Sequence, residues 1–221
     1  MKNLAIILAR KGSKRLKNKN YKKLNGKPLI YWTIKFAKSS KIFEDIMVST
    51  DSNLIKNFSL KHKVICPWLR PKSLSTDQIK SEVAALHALN WYEKKFRKRI
   101  DCVTLLQPTS PFRLKKTISL AYEKFKKNKK KNIVTVSKET KTFKKLFVIK
   151  NNICVFEKRK TNKIKYKING NIFMINSKML KNKKNFTSSG FIPIITKTKK
   201  ESLDIDTLQD FRLAQKYFRT K

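Results

Sequence analysis

"NLAIILA", residues 3 to 9, is an unbroken apolar run, and it meets "RKGSKRLKNKN", residues 10 to 20, without a transition. A short run of β-favouring residues with no polar alternation reads as a strand covered on both faces, the condition of a central strand in a parallel sheet. Open sheets of that kind bind ligands outside the carboxyl ends of their strands. The junction at residue 10 therefore marks both the start of a fold and the place to look for its chemistry. Six of residues 10 to 20 are lysine or arginine. They form either a phosphate-binding loop or one more basic cluster in a basic chain.

Composition warns against the easy answer. The 221 residues carry a formal charge of +41, which invites a nucleic-acid reading. Yet only nine of the 55 basic residues are arginine, the side chain whose planar fork reads phosphates and bases. Lysine is spread along the whole chain beside abundant Asn, Ile and Phe, the pattern of an A/T-rich coding bias on solvated positions. Specific nucleic-acid binding is not expected. A hydrophobic content of 40% is that of a globular protein, and the length suits a single domain over residues 1–221. No apolar run approaches the roughly 20 residues of a membrane helix, and the first one meets charge at once, so neither membrane span nor secretory leader is expected. Cys66, Cys102 and Cys154 lie far apart in apolar stretches, as buried free thiols of a cytoplasmic protein would. Where lysine is accepted almost everywhere, residues that are not lysine carry the information. Four glycines stand at 12, 26, 170 and 190, and three of the fourteen acids crowd into "DIDTLQD", residues 204 to 210.

The rest of the chain extends the first strand into a fold. "GKPLIYWTIKFAKSS" predicts a helix with Pro28 in its first turn and positions 29, 30, 33, 36 and 37 on one face. "DIMVST" (45–50) is a second strand, followed by a helix capped by Asp51 or Ser52. "KVICPW" is a short third strand. "IKSEVAALHALNWYEKK" is a helix with Val83, Leu86, His87, Leu89 and Asn90 in register. "DCVTLLQ" (101–107) and "NIVTVS" (132–137) are strands around the helix "LKKTISLAYEKFKK". This alternation predicts an α/β, three-layer sandwich around a mostly parallel sheet. From 138 to 175 the rhythm changes to strands joined at Lys150-Asn151-Asn152 and then "NGNIFMI", read as a small antiparallel β excursion. A last helix starts after a cap at Asp206 or Thr207.

The candidate site residues fall where strands end. Arg10-Lys11-Gly12-Ser13-Lys14-Arg15 combines cations, a hydroxyl and a small residue that can cradle phosphate with backbone N–H groups, although neither standard glycine-rich fingerprint applies. "QPTSPFR", residues 107 to 113, is a loop stiffened by two prolines with Gln107 offering both a donor and an acceptor. Asp204 and Asp206 alternate about Ile205, so an extended segment turns both carboxylates one way. Two hard oxygen ligands beside cations suit Mg²⁺, which keeps several waters and substrate phosphates. His62 and His87 have no partner spacing, and His87 is expected as a satisfied interior histidine.

Taken together, "IILARKGSKRLKNKN", "NGKPLIYWTI", "VSTDS", "LRPKSLSTD", "LLQPTSPFR", "NGNIF" and "DIDTLQD" resemble the acylneuraminate cytidylyltransferases (CMP-sialic acid synthetases). That wider group includes bacterial enzymes activating legionaminic and pseudaminic acids. The resemblance runs from residue 4 to about 210. It implies a Rossmann-like nucleotidyltransferase (GT-A-like) fold with a dimerisation excursion, hence a homodimer, and a Mg²⁺-dependent reaction of CTP with a nine-carbon, sialic acid-like 2-keto sugar acid. By position it implies Arg10, Gly12, Ser13, Lys19 and Asn20 as nucleotide and triphosphate contacts, with Arg10, Lys19 and Asp206 catalytic. Arg70 and Ser81 would contribute to the cytidine pocket, Gln107, Asn169 and Gly170 to the sugar side, and Asp204 and Asp206 to the metal. The chain departs from the family at Lys11-Gly12, where two glycines are frequent, at Asp77-Gln78-Ile79-Lys80, where small residues are usual, and at Phe173, where tyrosine is common. Residues 138–167 match poorly. Two other readings compete: a cytidylyltransferase for 3-deoxy-manno-octulosonate, and a basic nucleic-acid-binding protein.

Overall fold

The computed structural model describes residues 1–128, 131–139, 146–156, 164–182, 185–187 and 190–220. In chain order its elements are β1 (Asn3–Leu8), β2 (Lys23–Leu24), β3 (Lys27–Pro28), α1 (Leu29–Ser40), β4 (Asp45–Ser49), α2 (Asn53–Lys61), α3 (Ser81–Phe96) and β5 (Cys102–Leu105). There follow α4 (Lys115–Lys127), β6 (Ile133–Glu139), β7 (Phe147–Lys150), β8 (Ile153–Phe156), β9 (Lys165–Asn176), α5 (Ser177–Lys181), β10 (Ile192–Ile195) and α6 (Leu208–Arg219). The main sheet runs β10-β6-β9-β5-β1-β4. β1 pairs in parallel with β4 and β5, and β10 with β6, while β9 is antiparallel to both β5 and β6.

The opening run sits where its composition sends it. Leu4, Ala5, Ile6 and Ile7 are fully buried because β1 is covered on both faces. Ala5 and Ile7 join the core beneath α1 and α4, with Ile30, Ile34, Ile118 and Phe125. Leu4 and Ile6 point the other way, to Ala85, Ala88, Leu89 and Tyr92 of α3. A third, smaller core of Leu24, Leu29, Leu203, Ile205, Phe211 and Ala214 seats α6 and the segment before it against the β2–β3 hairpin. That seat brings the "DIDT" acids back to the end of β1.

Several details differ from the sequence reading, each for a physical reason. Residues 169–175 were expected in the excursion, but β9 lies in the middle of the main sheet. Its Asn171–Ile175 half is buried, which a strand between two neighbours satisfies and an outlying one does not. An apolar run alone does not reveal strand direction. Of the span 138–175, residues 140–145 and 157–163 lie outside the described residues, and β7–β8 forms the hairpin, turning at Asn151 (φ 48°) and Asn152 (φ 61°) as a two-residue turn of positive φ requires. α3 turns Ala84, Ala85, Ala88, Leu89 and Tyr92 inward and leaves Val83 and Asn90 exposed, because the alanines let the helix lie close on the sheet. His87 is half-buried and edge-on to Trp68, but its Nδ1 has no partner among the described residues, so it is not the satisfied histidine expected; burial and nearby Arg70 lower its pKa. "KVICPW" shrinks to one bridge between Ile65 and Met47. Pro28 caps α1 from just outside it. β10, with Pro193 on an edge strand that tolerates the missing N–H, has no counterpart in the sequence reading. No helix among the described residues is long and apolar enough to cross a membrane.

Candidate nucleotide and sugar-acid site

A cleft opens at the carboxyl ends of β1 and β5. It has two lobes, of about 370 Å³ and 270 Å³, that share Leu8, Arg10, Asp77 and Gln107. Together they match the size of an ordinary small-molecule site. The larger lobe is walled by the loop after β1, through Arg10, Ser13, Lys19 and Asn20, with Gln107, Thr109 and Asp206 opposite. The smaller runs beneath α3 and is walled by Arg70, Leu74, Thr76, Ile79 and Ser81.

The first loop is fixed at its base and loose at its tip. Ala9 donates its N–H to the Ser49 carbonyl (3.0 Å), and the Thr50 hydroxyl donates to the Ala9 carbonyl (2.6 Å). Buried Asn20 returns from the far end of the loop to donate to the Arg10 carbonyl (2.9 Å). Beyond these contacts, side-chain ion pairs take over. Arg10 and Lys14 both pair with Asp77, the latter at 2.9 Å. Arg15 and Lys19 converge on Asp206 at 2.6 and 2.8 Å. Lys11 and Lys17 are exposed, as surface lysines. Gly12 is exposed too, and an added Cβ there would meet nothing within 4 Å, so its geometry does not demand glycine.

The loop after β5 is built in the opposite way. Arg113 is buried and spends its guanidinium on backbone and hydroxyl oxygens: Gln107 O (2.5 Å), Ser110 O (2.6 Å), Asn171 O (2.7 Å) and Thr33 Oγ1 (3.0 Å). It thereby ties "QPTSP" to β9 and α1. Burial pushes the Arg113 guanidinium down, and the charge of Asp204 opposes that. Gly170, with φ 73°, lies beside this loop. A Cβ there would stand 2.6 Å from Gln107 Oε1 and 3.3 Å from Asp204 Oδ2, so the missing side chain makes room for both groups. Asn169 is buried and does not line the cleft; its amide donates to Thr196 Oγ1 (2.8 Å) and holds the strand.

Along residues 203–206 burial alternates: Leu203 and Ile205 face the core, and Asp204 and Asp206 lie less buried on the other side. Thr207 then closes a capping box with Asp210 and starts α6, so Asp206 is free of the capping duty. The two acids differ. Asp206 meets cations in the cleft, whereas Asp204 sits behind it, with Oδ1 enclosed and unpartnered among the described residues. Burial pushes the Asp204 carboxyl above the usual range; Thr109 lowers it, Asp206 raises it, and Lys19 and Arg113 lower it. An orphaned carboxylate oxygen beside a second acid fits a divalent cation that takes its remaining oxygens from water and phosphate.

The cleft thus gathers Arg10, Ser13, Lys19, Asn20, Arg70, Ser81, Gln107 and Asp206, and places Gly170 and Asp204 just behind it. The sequence reading gave no site role to Asp77, which touches both lobes. Asp77 was visible as one of only fourteen acids in the chain.

A family model described as cytidylyltransferase matches residues 4–220. The chain is 37% identical over 235 residues to the CMP-N,N'-diacetyllegionaminic acid synthase of Legionella pneumophila, spanning 98% of this chain and 96% of that one. It is 34% identical over 221 residues to the N-acylneuraminate cytidylyltransferase of Escherichia coli, spanning 96% of this chain but only 51% of that relative. Among solved structures, CMP:2-keto-3-deoxy-manno-octonic acid synthetase complexed with CTP has a TM-score of 0.80 over 99% of both chains at 13% identity, a likeness of fold.

Proposed function

Because the chain belongs to the cytidylyltransferase family, we propose that it transfers the cytidylyl group of CTP to a nine-carbon 2-keto sugar acid, giving the CMP-sugar and pyrophosphate. The observation that carries this reading is the two-lobed cleft, cationic on one side and lined by Gln107 and Asp206 on the other, with Gly170 and Asp204 just behind them. Support for the nine-carbon class comes from relatives named for legionaminic and N-acylneuraminic acids. The solved eight-carbon relative shares the fold at 13% identity and carries no weight on substrate.

In this reading the smaller lobe takes the nucleoside, with Arg70 and Ser81 on its wall, and the larger takes the triphosphate. Arg10, Ser13, Lys19 and Asn20 line the path of the phosphates. Arg10 and Lys19 offset the charge that builds on them as the sugar hydroxyl attacks the α-phosphorus and pyrophosphate leaves. Gln107, held from behind by Arg113, orients the sugar. Asp204 and Asp206 would hold Mg²⁺, which when bound neutralises phosphate charge and lowers repulsion against the sugar carboxylate. A homodimer through the β7–β8 region and a cytoplasmic site complete the proposal. The latter is supported by three buried free thiols and by a nucleoside triphosphate substrate.

The test is to incubate purified protein with CTP, Mg²⁺ and a panel of nonulosonic acids, and to follow pyrophosphate. Release with a nine-carbon acid is expected. No release with any of them, with turnover of ATP or GTP on another acceptor or of CTP on the eight-carbon acid alone, overturns the reading. Tight, salt-sensitive binding to any duplex that survives Asp204→Ala and Asp206→Ala would favour the nucleic-acid alternative instead. Light scattering reads the oligomer.

A further inference from the structure

Asp51 lies in "VSTDS", a motif with no role in the mechanism above. A cap for α2 is its plain explanation, but Ser52 holds that post, its hydroxyl facing the Ile55 N–H at 3.5 Å. Asp51 instead reaches across to the loop after β1, where Oδ1 accepts the Lys11 N–H at 2.7 Å. Its neighbours grip the same loop and the nucleoside lobe together. Ser49 and Thr50 bind both ends of Ala9, and the Thr50 carbonyl accepts the Arg70 N–H at 2.6 Å. Asn20 holds the Arg10 carbonyl. The Arg10–Lys11 peptide is thus clamped at both of its polar groups: its carbonyl by Asn20, and its N–H by Asp51. Arg10 is also the cation that touches both lobes. Asp51 also acts on Arg70: burial pushes the Arg70 guanidinium down, and the charge of Asp51 opposes that while Arg10 adds to it.

We propose that Asp51 is a positioning residue for the nucleotide: by holding the Lys11 amide it fixes the Arg10 backbone, so that the Arg10 side chain stays at the boundary of the two lobes. The proposal rests on the triphosphate reading of the loop. It assigns the tight base of that loop to a hydrogen bond accepted by a carboxylate rather than to glycine, in keeping with the open space around Gly12. The bond holds the base of the loop, so losing its acceptor is expected to be visible in binding.

Two conservative variants separate geometry from charge. Asp51→Asn keeps an acceptor oxygen in place and loses the charge; Asp51→Glu keeps the charge and moves the acceptor by one methylene. Asp51→Asn is expected within about threefold of the parent in KM for CTP, and Asp51→Glu about tenfold or more above it, with KM for the sugar acid unchanged in both. Asp51→Ala should match Asp51→Glu, and should add little in an Arg10→Ala background because it acts through Arg10. Thermal melts confirm that each variant is folded, and the conclusion holds on the Asn and Glu pair if the Ala variant is not. A benign Asp51→Glu with a damaging Asp51→Asn, equal shifts in both substrates' KM, or full additivity with Arg10→Ala overturns the proposal. Failure of the parent protein to bind CTP overturns the functional reading instead, so the two failures are told apart by the parent alone.

Discussion

The two loops that face each other across the cleft solve the problem of holding side chains in opposite ways. The loop after β1 keeps its tip in solvent and settles its cations on two carboxylates, Asp77 and Asp206, through side-chain pairs. The loop after β5 is buried and pinned through its backbone by a single guanidinium with four partners. Exposed ion pairs are weak and exchangeable, and a ligand of like charge can replace the carboxylates without breaking the fold. Buried hydrogen bonds from a charged group are neither weak nor exchangeable. One wall adapts to the ligand's charge, and the other is a fixed ruler for its position.

Four substitutions break or sharpen that contrast. Arg113→Met should be the most damaging, because it leaves several buried acceptors unsatisfied. A loss of about 3–5 kcal/mol is expected, read as a drop of about 10 °C or more in the melting temperature. Next, Asp206→Ala should leave the melt nearly unchanged but cut turnover about a hundredfold or more, with CTP affinity falling less than about tenfold. Gly170→Ala falls between the walls: its Cβ would crowd Gln107 Oε1 at a φ of 73°. Turnover about tenfold down, with KM for the sugar acid rising more than KM for CTP, is the expected outcome. The smallest effect belongs to Asp77→Asn. Hydrogen bonds and charge from Lys14 and Arg10 hold the Asp77 carboxyl below its usual range. A lowered pKa means the carboxylate is ionised throughout neutral pH and competes with phosphate for those cations. Pyrophosphate should bind the variant about threefold more tightly, by the same factor at every pH above about 5. Weaker binding would show that Asp77 orients Arg10 rather than competing for it.

What could be read in the sequence follows the same division. Buried strands β1, β4, β5 and β6 announce themselves as apolar runs, and the Asn151-Asn152 turn by residues that tolerate positive φ. The extended "DIDT" segment was legible because a period of two survives without a strand partner. The register of α3 was not, since small alanines rank low in hydropathy yet allow the closest packing. Nor was the place of β9, because strand order is settled by partners some 70 residues away, not by local pattern. Arg113 shows in the sequence only as the last residue of "QPTSPFR"; its role emerges once β9 and α1 are brought to it. Asp51 looked like a cap because side chain and helix start coincide there.

The position of β9 also sets an order of events for the growing chain. β5 and β6 do not touch; their shared partner is a reversed strand that ends at Asn176. Until that strand is made, both present open edges, and the ruler loop lacks the Asn171 carbonyl that Arg113 needs. Pairings of such long range are slow to form, and open strand edges invite pairing with other chains. Insertion of that one strand therefore covers two open edges at once. A chain halted before residue 165 would carry a nucleotide loop but no finished sheet around it.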